Sequence, residues 1–211
     1  MPTRLRNFSM KFISLGGFQD FFIKDSFDRK ELGMDYKTEV MDASSLSRSL
    51  KRITHEILER NKGTDNLVLV GIKRRGVPLA NVIKENIKSI EGIDIPVCTL
   101  DITFYRDDLS KQNDEPVIND FKLEHDINNK TVILVDDVIY TGRTVRAAMD
   151  ALLNNARPNF IELAVVVDRG HRELPIRPDF VGKNIPTSKD EHINVCVKEF
   201  DDIDGVYLIK N

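Results

Sequence analysis

The sequence predicts an α/β fold in which a central, mostly parallel sheet is flanked by helices and topped by a small irregular hood. Two observations predict it. Short apolar runs rich in β-branched residues alternate with segments whose apolar residues recur at helical spacing. Connections between parallel neighbours need such crossover helices. The length of 211 residues suits one domain with a substantial core.

Residues 1–33 stand apart. Phe8, Phe12, Phe18, Phe21, Phe22 and Phe27 are scattered among charges and Gly16-Gly17, without an apolar segment ending in a small-residue cleavage site. Met34 is an alternative start. This stretch reads as an extension that is disordered or not native, with a short ordered arm as the other reading, and the folded domain as 34–211. From residue 44, SSLSRSLKRITHEILERN places Leu46, Leu50, Ile53 and Ile57 on one helical stripe. Arg48, Lys51, Arg52, His55 and Glu59 fall on the opposite face. Asp42 or Ser44 can cap the start, and Gly63 follows the end.

LVLVGI (67–72) reads as a buried strand. KRRG follows, then a helix over 77–90 in which Pro78 occupies the first turn, where its missing N–H costs nothing. IPVCTLDITFYR (95–106) reads as strand, and the polar stretch 107–129 as a mobile loop. KTVILVDDV (130–138) is a strand, TVRAAMDALLNNA (144–156) a helix, and FIELAVVVD (160–168) a further strand. Gly170, Pro175, Pro178, Gly182 and Pro186 make 169–191 an irregular connection, the hood spanning about 169–200. HINVCVKEF (192–200) and GVYLI (205–209) close the chain as strands.

Composition narrows the classes of function. A formal net charge of −3 leaves an RNA partner to a local basic patch. No apolar run approaches the roughly 18–20 residues of a membrane span. Cys98 and Cys196 lack metal-ligand spacing, which speaks against a disulfide framework and for a reducing cytoplasm.

The chemistry concentrates in VILVDDVIYTGRT (132–144). Ligands of parallel α/β sheets bind beyond the carboxyl ends of the strands, where Asp136 and Asp137 fall. Gly142 permits close approach of a ligand to the backbone, and the following helix start offers N–H groups to an anion. Thr141 and Thr144 add hydroxyl donors. Carboxylates for ribose hydroxyls or hydrated Mg²⁺, beside a turn for a monophosphate, fit a sugar phosphate. Neither a dinucleotide fingerprint nor a P-loop is present.

VILVDDVIYTGRT resembles the phosphoribosyl-pyrophosphate (PRPP) motif of type I phosphoribosyltransferases. GIKRRG (71–76), LDITFYRDDLS (100–110), VDRGHRELPIRPDFVGKNIPTS (167–188) and RITHEILERNKG (52–63) resemble, more closely, the bacterial pyrimidine-operon attenuators that are also uracil phosphoribosyltransferases. The likeness spans about residues 36–209. It implies the type I phosphoribosyltransferase fold, and conversion of uracil and PRPP to UMP and pyrophosphate through an oxocarbenium-like transition state. No nucleophile is needed, and His55, His125, His171 and His192 show no triad spacing. Positioning and electrostatics then do the work.

The resemblance also assigns residues. Asp136 and Asp137 hold the ribose, directly or through Mg²⁺ carried by PRPP, and Val138, Ile139, Tyr140, Thr141, Gly142, Arg143 and Thr144 wrap the 5′-phosphate. Arg74 and Arg75 form the pyrophosphate loop, where a strained, cis peptide is common in the wider family; Arg74 departs from the threonine expected there. A loop from Tyr105 closes over the site and brings Arg106 to the pyrophosphate. Asp168, Arg169 and Ile193 surround the uracil, whose edge main-chain amides read. Lys51, Arg52, His55, Arg60, Arg172, Arg177 and Lys183 form an RNA face for a stem-loop of the pyrimidine-operon leader transcript. UMP or UTP in the active site raises that affinity, and the protein assembles as a homodimer or higher homo-oligomer. Two other readings remain: a salvage phosphoribosyltransferase acting on another base such as a purine, and a regulator whose catalysis has decayed.

Overall fold

The computed structural model describes residues 36–102 and 123–210. The N-terminal extension, Tyr105 and Arg106 lie outside them, as does most of the expected mobile loop. Twelve elements follow in order: β1 (Tyr36–Met41), α1 (Ala43–Asn61), β2 (Leu67–Ile72), α2 (Gly76–Glu91), β3 (Val97–Leu100), β4 (Thr131–Ile139), α3 (Arg143–Asn155), β5 (Phe160–Asp168), β6 (Phe180–Asn184), β7 (Glu191–Cys196), α4 (Lys198–Asp201) and β8 (Gly205–Lys210).

Five strands form a wholly parallel sheet in the order β3-β2-β4-β5-β6. The chain passes from β2 outward to β3, then returns to lay β4 on the other side of β2. The crevice beyond β2 and β4 is therefore the topological switch point, where such sheets bind ligands. Two cores sandwich the sheet. One joins α1, α2 and the inner face of a second sheet through Leu50, Ile57, Ile83, Ile133 and Val195. The other lies under α3 and includes Val70, Leu134, Ala148 and Val165.

Helix α1 starts where Asp42 accepts the Ser45 N–H at 2.7 Å, the first of the two caps the sequence offered. Its expected stripe of Leu46, Leu50, Ile53 and Ile57 is buried. At its end the left-handed residue is Lys62 (φ 56°), one position before the glycine. Helix α2 carries Pro78 in its first turn as expected.

Three readings need correction. The irregular connection hides β6, which pairs with β5 from Ala164↔Phe180 to Asp168↔Asn184; Pro178 and Pro186 flank this strand rather than forbid it. The strand expected over 192–200 ends at Cys196 and turns into the four-residue α4. Among the described residues of the strand expected over 95–106, only Val97–Leu100 is regular strand, and 103–106 lie outside the described residues. The hood, too, is less irregular than expected. Its centre is an antiparallel sheet β1-β8-β7, in which a strand from the start of the domain pairs with β8 from Tyr36↔Ile209 to Met41↔Val206. YKTEVM mixes charge with apolar residues, as an edge strand does.

Candidate active site at the sheet switch point

β4 is apolar and buried from Val132 to Val135, and then its chemistry changes. Successive strand side chains face opposite sides of the sheet. Asp136 follows Val132 and Leu134 on the α3 side; Asp137 follows Ile133 and Val135 on the α2 and hood side. Asp136 is only 8% exposed and accepts the Asp137 N–H at 2.9 Å. Asp137 accepts the Val138 N–H at 2.8 Å. Burial raises the Asp137 carboxyl above its ordinary pKa, against the Val138 hydrogen bond and the Arg75 charge, which pull it down. Among the described residues no cluster of three or more ligating side chains could hold a metal alone. Two carboxylates at an open strand end suit instead an ion that brings most of its oxygen ligands with the substrate.

The turn after β4 is pinned by its carbonyls. Thr141 O accepts from Glu173 N (3.0 Å) and Leu174 N (3.1 Å), and Tyr140 O from Arg172 Nη1 (2.7 Å). Arg143 forms an ion pair with Glu173 at 2.8 Å. Gly142 caps α3 at φ +91°, a conformation that costs any other residue energy. Gly142 itself has no side chain to cap the helix start. The Arg143 N–H donates to Thr141 Oγ1 at 3.3 Å. With the carbonyls engaged by residues 172–174, the Thr144 and Val145 N–H groups, without a partner among the described residues, and the helix dipole remain for an anion.

Across the crevice stands the loop after β2. Its Lys73–Arg74 peptide is cis, the Lys73 N–H donates to Leu100 O at 2.9 Å, and Lys73 pairs with Asp101 at 3.3 Å. Arg74 is exposed. Gly76 brings this loop against β4: a Cβ there would lie 2.3 Å from Val135 O, one residue before Asp136. Arg75 grips Asp201 of α4 through two hydrogen bonds, Nη2–Oδ1 at 2.8 Å and Nε–Oδ2 at 3.2 Å. Asp201 has no precursor in the sequence reading. It sits 126 positions from Arg75 in a run of acidic residues, and nothing in local spacing joins the two.

At the end of β5, Asp168 uses both carboxylate oxygens within the protein: Oδ1 takes the Gly170 N–H (2.9 Å) and Oδ2 the Arg172 guanidinium (2.6 Å). Arg169 is buried. It donates to Thr187 Oγ1 and Glu191 O and stacks 4.0 Å from the Tyr140 ring centroid. Partly buried Ile193 and Val138 pack against the same core, and β7 lies against β4. Asp168 and Arg169 are thus committed to contacts that order the chain after β5, and Ile193 packs against the core shared with Val138.

The basic residues divide into two groups. Lys51, Arg52 and His55 are exposed on α1, which packs along β6. Arg52 bridges the two by donating to Val181 O and Gly182 O. Lys183 on β6 donates to Val40 O at 3.2 Å, and Arg177 is exposed beside a cavity of about 380 Å³ that Asn184 also lines. Arg60 is committed to Glu162 (2.7 Å), Asp179 (2.9 Å) and the Phe180 ring, and Arg172 to Asp168, Ile176 O and Tyr140 O. These last two stabilise the fold before they meet any ligand.

A family model described as a phosphoribosyl transferase domain matches residues 38–199. The chain belongs to the phosphoribosyltransferases. It is 58% identical over 175 residues to the "Bifunctional protein PyrR" of Caldicellulosiruptor bescii, covering 83% of this chain and 96% of that one. It is 56% identical over 178 residues to the protein of the same name from Clostridium perfringens, covering 84% of this chain and all of that one. Among solved structures, a hypoxanthine phosphoribosyltransferase from Staphylococcus aureus superposes with TM-score 0.65 at 21% identity, over 83% of this chain and 92% of that one. A hypoxanthine-guanine phosphoribosyltransferase from Bacillus anthracis gives TM-score 0.65 at 19% identity, over 83% and 99%. At such identities these two establish the fold alone. The family membership confirms the resemblance drawn from VILVDDVIYTGRT, and the all-parallel central sheet confirms the fold class.

Proposed function

We propose that this chain transfers the phosphoribosyl group of PRPP to uracil, giving UMP and pyrophosphate, and that it attenuates transcription of pyrimidine biosynthesis genes by binding their leader RNA when a uridine nucleotide fills the site. One observation carries the catalytic reading. Asp136 and Asp137 stand at the sheet switch point, and the same strand runs directly into a turn whose carbonyls are tied off and whose Thr144 and Val145 amides have no partner among the described residues. Carboxylates there orient the ribose hydroxyls, and the amides bind the 5′-phosphate. The uracil N1 then forms its bond to C1′ as the C1′–O bond to pyrophosphate breaks, and the N1 proton passes to the departing pyrophosphate or to water. Fixed dipoles stabilise the charge that develops on the ribose. Asp136 and Asp137 would hold the Mg²⁺ that accompanies PRPP, directly or through water, and that ion would offset the pyrophosphate charge.

Arg74 and Arg75 face the pyrophosphate, and Arg106 is a further candidate contact for it. Ile193 flanks the base, with Asp168 and Arg169 ordering the main chain around it. Lys51, Arg52, His55, Arg177 and Lys183 contact the RNA stem-loop, and Arg60 and Arg172 support that face. RNA of this kind is bound by arginine stacking and hydrogen bonds to unpaired bases, with phosphate contacts adding salt-dependent affinity. Because the two ligands are coupled, RNA tightens UMP binding by the same factor that UMP tightens RNA binding. The protein acts in the cytoplasm as a homo-oligomer; its two cysteines are buried free thiols, which fits a reducing compartment. Residues 1–33 are an extension outside the catalytic unit, a reading supported by the Clostridium perfringens relative, whose whole length is matched by 178 residues.

Labelled uracil, PRPP and Mg²⁺ test the transfer, with hypoxanthine in parallel for a purine base. Filter binding of a pyrimidine-leader stem-loop with and without UMP tests the regulator. Absence of UMP formation removes the catalytic reading; RNA retention indifferent to UMP removes the regulatory one.

A further inference from the structure

The ion pair between Arg75 and Asp201 joins the loop after β2 to the short hood helix α4. Its geometry is one-sided. Asp201 takes the Nε–Nη2 edge of the guanidinium, so the Nη1 end with its two N–H groups has no hydrogen-bond partner among the described residues. Asp201 is itself held, because Oδ2 also accepts the Val197 N–H at 3.0 Å. Both partners are largely withdrawn from solvent, with side chains 31% and 16% exposed. Arg75 also lies close enough to Asp137 for each charge to stabilise the other. The guanidinium is therefore fixed beside the acidic centre with one face free.

We infer that Asp201 is a positioning residue for phosphoribosyl transfer: it holds Arg75 by one edge so that the other edge meets the pyrophosphate of PRPP. The inference rests on the proposed reaction and extends it to a residue outside the sugar-phosphate motif. A guanidinium already fixed by one carboxylate loses little rotamer freedom when it binds a second anion, whereas a released arginine must give that freedom up. The same link ties the two halves of the site together. α4 follows directly on β7, which carries Ile193 beside the base, so the hood that seats the base also sets the arm for the leaving group.

The test is steady-state kinetics on the full chain, varying PRPP and uracil separately, for wild type, D201N, D201E, R75Q and the R75Q/D201N double variant. D201N keeps an oxygen for the Val197 N–H and removes only the charged fork. It is expected to raise the KM for PRPP about tenfold, with kcat and the KM for uracil within about twofold. D201E is expected to recover most of that loss. In the R75Q background D201N is expected to add less than about twofold, since the two residues act through one contact. Four results would overturn the inference: an unchanged PRPP KM, a PRPP KM that falls because the released cation attracts the pyrophosphate more strongly, equal rises in both KM values, or effects that multiply in the double variant. Wild-type protein without UMP formation would refute the proposed reaction instead, so the two failures are distinct.

Discussion

Replacing Gly76 with alanine should disable the site from a residue that touches no substrate. The new Cβ would fall 2.3 Å from Val135 O and 3.2 Å from the carbonyl carbon. Ordinary carbon–oxygen contacts lie near ~3.3 Å, so the loop after β2 or the end of β4 must retreat by about 1 Å. Both neighbours are backbone, one inside a buried parallel strand and the other at a helix start, and neither yields easily. Overpacking of this kind costs about 3 kcal/mol, which in a chain of this size lowers Tm by about 6–12 °C. The displaced residues are Arg75 and Asp136, so a misplacement of that size should reduce kcat/KM about a hundredfold. Gly92→Ala is the control. Gly92 adopts φ +71° with no atom within 4 Å of its added Cβ, so it should cost only about 1 kcal/mol of conformational strain and leave turnover intact. Differential scanning calorimetry and initial rates on both variants decide the matter. If G76A melts with G92A and keeps wild-type kcat/KM, the close approach of loop and strand does not position the site.

Three further outcomes are expected. D136N/D137N should retain the fold by circular dichroism while UMP formation falls by about a hundredfold or more, the loss of charge-assisted contacts to the ribose. The single variant D137N should be as stable as wild type or more so at pH 7. Because burial raises the folded-state pKa of Asp137, its ionised form opposes folding at neutral pH and that penalty fades as pH falls into the carboxylate range; denaturant midpoints of the two proteins from pH 7 to pH 4 should therefore converge. R177A should weaken leader-RNA retention by about 1–3 kcal/mol with little change in Tm, whereas R60A should lower Tm more than it lowers RNA affinity, since Arg60 is bound to Glu162, Asp179 and Phe180.

The parts of the fold that were legible are those whose signal is local. Buried parallel strands such as LVLVGI announce themselves as apolar runs, and the stripe of Leu46, Leu50, Ile53 and Ile57 announces α1. The sugar-phosphate motif is also local, because one strand end and one turn carry all of it. The remainder depends on partners remote in the chain. β6 was obscured by flanking prolines and by its short mixed sequence FVGKN, and only its ladder with β5 makes it a strand. β1 has no strong pattern and is fixed by β8. The Arg75–Asp201 pair is legible only once the hood has folded over the sheet. Arg60 looked like a free surface cation because helical spacing records which face a residue occupies, not the acidic groups that another element brings to it, and the resemblance that put Arg172 on the RNA face said nothing of its pairing with Asp168.

A crystal structure with UMP bound tests the central claim most directly. The 5′-phosphate should sit within about 3 Å of the main-chain N–H groups between Thr141 and Val145, with the ribose hydroxyls turned toward Asp136 and Asp137. A nucleotide seated elsewhere, with those amides facing only water, would contradict the account.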